Sequence, residues 1–190
     1  MTFVLAALAL FALPLAADEA RDSVAYSFVA GGAVRLKLSG GDYTIRGAST
    51  DDRIRVRWWT ETLEERSKVR VSADVRGAEA RIETRGPSSH FRVEIELPAR
   101  TDLHVRLSAG DLKVLGIEGH KDIESRAGDL DIEVIRAEQY RRVDASVTIG
   151  DLDARLFGPS RGWIGRSLNW KGPGSYDLHA HLFAGDLKLK

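Results

Sequence analysis

A Gly-Asp pair followed by an apolar or aromatic residue recurs along this chain and limits the folds open to it. The pairs are Gly41-Asp42, Gly110-Asp111, Gly128-Asp129, Gly150-Asp151 and Gly185-Asp186. The central intervals are 18 residues, from Gly110 to Gly128, and 22 residues, from Gly128 to Gly150. A period near 20 residues is typical of repeat proteins in which each unit is one turn of a stack. The repeat therefore predicts architecture and says little about function.

Apolar side chains alternate with polar ones on both sides of these pairs. The downstream apolar sets are Leu112 and Val114; Leu130, Ile132 and Val134; Leu152, Ala154 and Leu156; and Leu187 with Leu189. Upstream sets include Leu103, Val105 and Leu107, and Leu178, Ala180 and Leu182. Alternation with a period of two predicts two short strands per unit that share one buried face. The copy with Lys121, Ile123 and Ser125 follows this pattern poorly, so we expect its upstream strand to be short or near a corner.

The Gly-Asp pair predicts a bend between the two strands. Glycine adopts backbone conformations closed to residues with a Cβ, and aspartate bonds nearby backbone amides. One unit cannot bury its apolar face alone, so the units must stack. We predict an all-β fold, either a β-solenoid of stacked short strands with Gly-Asp turns or a β-sandwich of short strands. The good helix formers near residues 61–68 predict one short helix.

Composition excludes several classes of function. Lys+Arg and Asp+Glu are both 28, so the net charge is zero and the basic excess typical of nucleic-acid-binding proteins is missing. The chain has no cysteine, which excludes disulfides, Cys-ligated zinc and thiol catalysis. No phosphate loop, dinucleotide-binding fingerprint or zinc motif is present, and the sequence implies no cofactor.

The first residues have the character of an export signal. The apolar run from Phe3 to Ala17 is too short for a membrane span and precedes Asp18, although no Lys or Arg precedes the run. We predict a signal peptide over residues 1–17 and a single all-β repeat domain over residues 18–190. The mature protein would then lie in the periplasm or cell envelope, or be secreted, without a transmembrane span. The alternative is a buried first strand or helix.

One outward position of the repeat is occupied by a histidine and two aspartates. Six residues before three of the repeat glycines come His104, Asp122 and Asp144. If their units were adjacent, these side chains would lie about 5 Å apart, the spacing of neighbouring strands. A histidine with two carboxylates can bind a divalent metal or share a proton. The alternative, which we favour, is three ordinary solvent-facing residues, so no catalytic, metal or cofactor site is assigned.

Three other features carry weaker functional hypotheses. His179 and His181 share one strand face at a spacing that can chelate a metal weakly, but exposed polar positions are the simpler interpretation. The five repeat aspartates do not have the nine-residue period of calcium-binding rolls, so we interpret them as turn formers. Trp163 and Trp170 lie in a Gly/Pro-rich segment, residues 157–175, and are expected to cover one end of the stack, or else to stack on a sugar or a partner protein.

The chain resembles the bacterial putative-adhesin family of domains of unknown function, DUF4097. The resemblance rests on the strand Val93-Glu94-Ile95-Glu96-Leu97-Pro98, on the run from Leu103 to Val114 with Ser108-Ala109-Gly110-Asp111-Leu112, and on the later Gly-Asp-Leu copies. It covers residues 34–190 and implies a stacked-strand domain that is exported or attached to the cell envelope. It implies no catalytic residues.

Three functions are compatible with these observations. The first is a non-enzymatic interaction module that binds an envelope protein or a glycan and no nucleic acid, because a repeat surface offers an extended, rigid face. The second is a carbohydrate-active β-helix enzyme, which needs two carboxylates across a groove, such as Asp122 and Asp144. The third is a structural or sensory envelope protein whose last strand, residues 187–190, pairs with a partner sheet.

Overall fold

A computed structural model of the chain describes residues 20–49, 52–87, 89–159 and 165–190 and shows two mixed eight-stranded sheets. The order in the first sheet is β1 (Ala20–Ser27), β4 (Arg53–Thr60), β7 (Arg92–Pro98), β3 (Asp42–Ser49), β9 (Leu112–Leu115), β11 (Leu130–Ile132), β16 (Leu187–Leu189) and β13 (Leu152–Asp153). The order in the second sheet is β14 (Arg166–Lys171), β12 (Tyr140–Ile149), β15 (Tyr176–Ala184), β10 (Lys121–Ala127), β8 (Asp102–Leu107), β2 (Ala33–Leu38), β6 (Glu79–Arg85) and β5 (Arg70–Arg76). The all-β class is confirmed.

The predicted short helix is present as α1, Leu63–Lys68. Thr62 caps it, because its hydroxyl accepts a hydrogen bond from the Glu65 amide. Two 3₁₀ turns, Ala137–Gln139 and Arg155–Phe157, complete the helical segments of the described residues. The predicted signal peptide, residues 1–17, lies outside those residues and stays a prediction.

The described residues contain six units built as the repeat predicts, with a strand of the second sheet, a corner and a strand of the first sheet. In spatial order the units are β6–β7, β2–β3, β8–β9, β10–β11, β15–β16 and β12–β13, and all neighbours pair in parallel. The β6–β7 unit has no Gly-Asp pair, so the sequence repeat did not reveal it.

The units do not stack in the order of the sequence. The last unit, β15–β16, lies between β10–β11 and β12–β13, and at the other end β6–β7 lies outside β2–β3. Antiparallel strands β1 and β4, β5 and β14 complete the ends of the sheets. A two-sheet sandwich of stacked units therefore describes the chain better than a simple coil. The expectation that residues 187–190 form an open edge is wrong, because β16 pairs on both sides.

The corners bring backbones into direct contact. Gly110, Gly128, Gly185 and Gly150 all have φ between +106° and +132°. A Cβ on any of them would collide with the carbonyl group of the corner glycine in the neighbouring unit. These positions therefore require glycine for two reasons, the backbone conformation and the close approach of the next chain segment.

Three aspartates of the Gly-Asp pairs link successive units. The Asp111 carboxylate accepts a hydrogen bond from the Asp129 amide at 3.0 Å. Asp129 accepts from the Asp186 amide, and Asp186 from the Asp151 amide, each at 3.1 Å. For these three of the five aspartates the interpretation as turn formers is refined, because each carboxylate accepts a hydrogen bond from a backbone amide of the next unit.

We expect Gly128→Ala to destabilise the protein by about 3 kcal/mol or more, because the new methyl group meets the Gly110 carbonyl in a strained backbone conformation. Urea unfolding measures the loss. Gly158→Ala is the matched control: Gly158 has φ +110° but no described atom within 4 Å of the added Cβ, so only backbone strain of about 1–3 kcal/mol is expected. Equal losses in the two variants would show that the close approach is not what requires glycine.

The inward side chains of both sheets form one apolar core. Leu112, Val114, Leu130 and Ile132 are buried on the side of the first sheet, as the alternation predicts. On the side of the second sheet the buried set includes Leu103, Val105, Ile123, Leu178, Ala180 and Leu182. Leu156 was predicted to point inward and is instead 54% exposed, because a 3₁₀ turn replaces the strand there and turns Phe157 into the core.

Strand β10 is a full seven-residue strand in the middle of the second sheet, which corrects the expectation of a short or peripheral strand. Its inward positions include two polar residues, Ser125 and Lys121, and the Lys121 side chain is only 2% exposed. The Lys121 ammonium donates a hydrogen bond to the Tyr140 hydroxyl at 2.6 Å. Burial lowers the pKa of Lys121 to about 8 and raises the pKa of Tyr140 to about 12.

The buried lysine makes stability depend on pH. Native Lys121 loses its proton near pH 8, whereas an unfolded lysine keeps it until about pH 10.5. The unfolded state binds more protons in this window, so the contribution of Lys121 to stability rises with pH from about 8 to 10.5. Between pH 7.5 and 9.5 we expect a gain of about 2 kcal/mol in the free energy of unfolding relative to Lys121→Met.

Urea unfolding at the two pH values measures this difference. Lys171→Met, which removes an exposed lysine of β14, is the control and should keep the pH dependence of the unchanged protein. If Lys121→Met also kept it, Lys121 would hold its proton in the native state throughout the window.

Candidate binding face

Four of the five histidines of the chain lie on the outer surface of the second sheet. His104 is on β8, His179 and His181 are on β15, and His120 directly precedes β10. We call the outward surface of β6, β2, β8, β10, β15, β12 and β14 the histidine face. It is formed by the residues that alternate with the buried set, so the same pattern that builds the core also fixes which side chains reach this surface.

The register of the parallel strands arranges the histidine face in rows. One row, from strand to neighbouring strand, is Arg35, His104, Asp122, His179, Asp144 and Asn169. The next row is Lys37, Arg106, Glu124, His181, Ser146 and Ser167. In the first row, imidazoles and carboxylates alternate on four neighbouring strands, β8, β10, β15 and β12.

The predicted trio of His104, Asp122 and Asp144 is only partly brought together. His104 and Asp122 are neighbours, with 3.4 Å between the imidazole Nδ1 and a carboxylate oxygen. Asp144 is separated from Asp122 by strand β15, whose His179 lies between them. The error follows from the order of the units, because the prediction placed β12 directly beside β10.

Arg106 joins the two carboxylates of β10. Its guanidinium is 2.7 Å from the Asp122 carboxylate and 3.2 Å from that of Glu124. Partial burial raises the pKa of Asp122, but hydrogen bonds from Arg106 and His104 outweigh it and leave this pKa below its usual value. Asp122 is therefore ionised near neutral pH.

Two further pairs border this region. Asp144 forms an ion pair with Arg142, and Asp177 forms one with Arg141. The Asp177 amide also donates a hydrogen bond to the Nδ1 of His120 at 3.0 Å. These contacts fix the side chains around His179 while its own imidazole stays exposed.

Three shallow depressions lie on the histidine face. One of about 580 Å³ is bordered by His120, Asp122, Asp144, Lys171, Asp177 and His179. A second of about 700 Å³ includes Glu124, Arg126, His181 and Phe183, and a third of about 520 Å³ includes Arg35, Arg81 and His104. The last two share Lys37 and Arg106, so together they form a charged surface that crosses several strands.

Several cations of this surface have no ion pair within the part of the chain that the structure describes. They are Arg35, Arg81, Arg126 and Lys171. The outer surface of the first sheet has both kinds of cation: Arg46 and Arg57 bind Glu94, whereas Lys113 and Lys188 have no ion pair among the described residues. The histidine face therefore keeps charges that a partner can neutralise.

Of the two tryptophans singled out in the sequence, Trp170 lies on the edge strand β14 and Trp163 lies outside the described residues. The Trp170 ring packs on Phe157 with ring centroids 5.0 Å apart, and Phe157 contacts Tyr140. Trp170 is partly buried against the core, which fits the expected role of covering the end of the stack. The role of Trp170 as a cover of the stack stays a prediction.

The geometry favours binding over acid–base catalysis. A glycosidase needs one carboxylic acid with a raised pKa beside a second carboxylate. Asp122 and Asp144 border the same depression, but each is paired with an arginine, and the pKa of Asp122 is lowered. The face does bring the ligand atoms of Asp122, Glu124 and His179 within 4.8 Å of one another.

Sequence reasoning did not connect these three residues. The signals were present, because Asp122 and Glu124 are two apart on one strand and His179 and His181 are two apart on another. What was missing was the knowledge that β15 lies beside β10.

The fold has a known counterpart. The chain aligns with a putative cell adhesion protein from Clostridium sporogenes with a TM-score of 0.61 and 13% sequence identity, over 91% of this chain and 99% of that one. A putative adhesin from Parabacteroides distasonis aligns at 13% identity over 91% of this chain and 71% of that one, with a TM-score of 0.34 that is too low to support an argument. The first likeness shows a shared fold and no more.

No protein-family model matches this chain, and no curated protein matches it either. Membership of the DUF4097 family therefore stays a prediction. Among the described residues, no helix is long and apolar enough to cross a membrane.

Proposed function

We propose that this protein is a non-enzymatic, exported interaction module that binds a component of the cell envelope through the histidine face. The observation that carries the proposal is the face itself, in which parallel strands in register present rows of charged side chains around three adjoining depressions. Such a surface is rigid, because its outward residues belong to strands whose inward residues form the core.

The likeness in fold to the Clostridium sporogenes protein supports this function without establishing it. That protein is described as a putative cell adhesion protein, and the two chains share the stacked architecture rather than residues. Adhesion requires a binding surface and no chemical reaction. The Asp122 and Asp144 carboxylates of the histidine face are each paired with an arginine, which suits binding better than catalysis.

The surface chemistry favours an acidic partner, either a protein or a glycan that carries carboxylate, sulfate or phosphate groups. The cations without ion pairs within the described residues lie at intervals across several strands, so an extended partner can contact more than one of them. Arginine suits this role because its planar guanidinium binds carboxylate and phosphate oxygens in pairs.

Removing three cations from the histidine face tests the proposal. The face variant carries Arg35→Gln, Arg81→Gln and Arg126→Gln, and the control variant carries Arg92→Gln, Lys113→Gln and Lys188→Gln on the outer surface of the first sheet. Both variants lose the same charge from exposed strand positions. We expect the face variant to bind immobilised envelope fractions about tenfold more weakly, and the control variant to bind as the unchanged protein does.

Binding is measured in the presence of a chelator, against envelope fractions that have been treated with protease or with periodate. Loss of binding after one treatment identifies the partner as protein or glycan. Equal weakening of the two variants, or no retention of the unchanged protein by any fraction, would contradict the proposal.

A further inference from the structure

We propose that Asp122, Glu124 and His179 form a binding site for one divalent transition-metal ion, with Zn²⁺ the best fit. The ligand atoms of these residues all lie within 4.8 Å of one another. Two carboxylate oxygens and one imidazole nitrogen form a donor set that suits zinc and its neighbours in the first transition series. The site goes beyond the proposed binding function and does not depend on it.

The fold builds this cluster from two adjacent strands. Asp122 and Glu124 are two residues apart on β10, so both project from the outer surface of the sheet. His179 on β15 lies directly opposite Asp122 in the parallel register. Backbone pairing therefore fixes the positions of all three Cα atoms, and only the side chains need to adjust when an ion binds.

Arg106 binds one oxygen of each carboxylate and leaves the other oxygen available. Its guanidinium contacts Oδ2 of Asp122 and Oε2 of Glu124 from the side of β8, opposite to the side on which His179 lies. Within the described residues, the second oxygen of each carboxylate has no hydrogen-bonding partner. Those oxygens are the ones that an ion beside His179 can use.

The number and type of ligands select the kind of ion. Calcium takes six to eight oxygen ligands, far more than this cluster supplies, whereas zinc takes four ligands that include nitrogen. Zinc bonds of about 2.0–2.2 Å place tetrahedral ligands about 3.4 Å apart, so the side chains close in by about 1 Å. Three protein ligands leave one position open for water or for an oxygen atom of a partner.

Two neighbouring residues are not assigned to the site. His181 lies opposite Glu124, but its Nδ1 is 2.9 Å from the Ser146 hydroxyl on the far side, which orients the ring toward β12. Asp144 lies opposite His179 on β12, but Arg142 holds its carboxylate. Asp144 is therefore a matched control, since it is a second carboxylate next to the same histidine.

Isothermal titration calorimetry tests the site with ZnCl₂, and with CaCl₂ and MgCl₂ for comparison, on the purified chain in the form that the cell accumulates. We expect one Zn²⁺ per chain and no heat of binding from Ca²⁺ or Mg²⁺. His179→Ala, and separately Asp122→Asn with Glu124→Gln, should weaken Zn²⁺ binding about tenfold or more. Asp144→Asn and His90→Ala, which alters the histidine outside the face, should leave the affinity unchanged.

One further variant is expected to strengthen Zn²⁺ binding, a result that loss of folding cannot produce. Arg106→Gln removes a cation that repels the ion and competes for the same carboxylates, so it should strengthen Zn²⁺ binding severalfold. Any one of three results would overturn the proposal. The unchanged protein does not bind Zn²⁺, or Arg106→Gln binds it more weakly. The third is that Asp144→Asn weakens Zn²⁺ binding as much as Asp122→Asn with Glu124→Gln does. Because the titration contains only protein and ion, its result is separate from the search for an envelope partner.

Discussion

The close contact between corner backbones is the constraint on which the rest of the structure depends. At four consecutive corners a Cβ would collide with the carbonyl group of the neighbouring glycine, so the units approach to the spacing of paired strands even where the chain turns. The hydrogen bonds of both sheets then continue through the corner, where the Leu112 amide, for example, donates to the Asp129 carbonyl at 2.8 Å. The aspartate carboxylates satisfy the amides that this arrangement would otherwise leave without partners.

The parallel strands keep one register throughout the core. The same register determines which outward side chains are neighbours on the surface. Each buried residue on β10 is followed by an outward residue whose neighbours on β8 and β15 are set by the backbone pairing. The contrast is sharpest between Lys121 and Asp122. Lys121 points inward, is bound to Tyr140 and has a lowered pKa, whereas the next residue points outward and meets His104, Arg106 and His179.

Local patterns in the sequence were sufficient for the units but not for their order. Alternation around Gly110 and Gly128 predicted strands, buried faces and corners, because these depend on residues close together in the chain. The order of the units depends on which apolar faces meet, and all units carry similar Leu, Val and Ile residues. Nothing local distinguishes Leu178 from Val143 as the neighbour of Lys121, so the insertion of β15 beside β10 and the pairing of Asp122 with His179 were not predictable.

Substitutions in the outward rows disturb the fold less than substitutions in the core or at the corners. The binding properties of the surface can therefore differ between proteins that share the fold. Replacing Leu130 or Gly128 alters packing or backbone contact, whereas Arg35 and Arg126 are exposed and have no ion pair among the described residues. Two chains with 13% identity can therefore keep the same stack while their outer rows recognise different partners. Under the proposed function, the residues of the histidine face select the ligand, and a likeness of the scaffold alone cannot specify it.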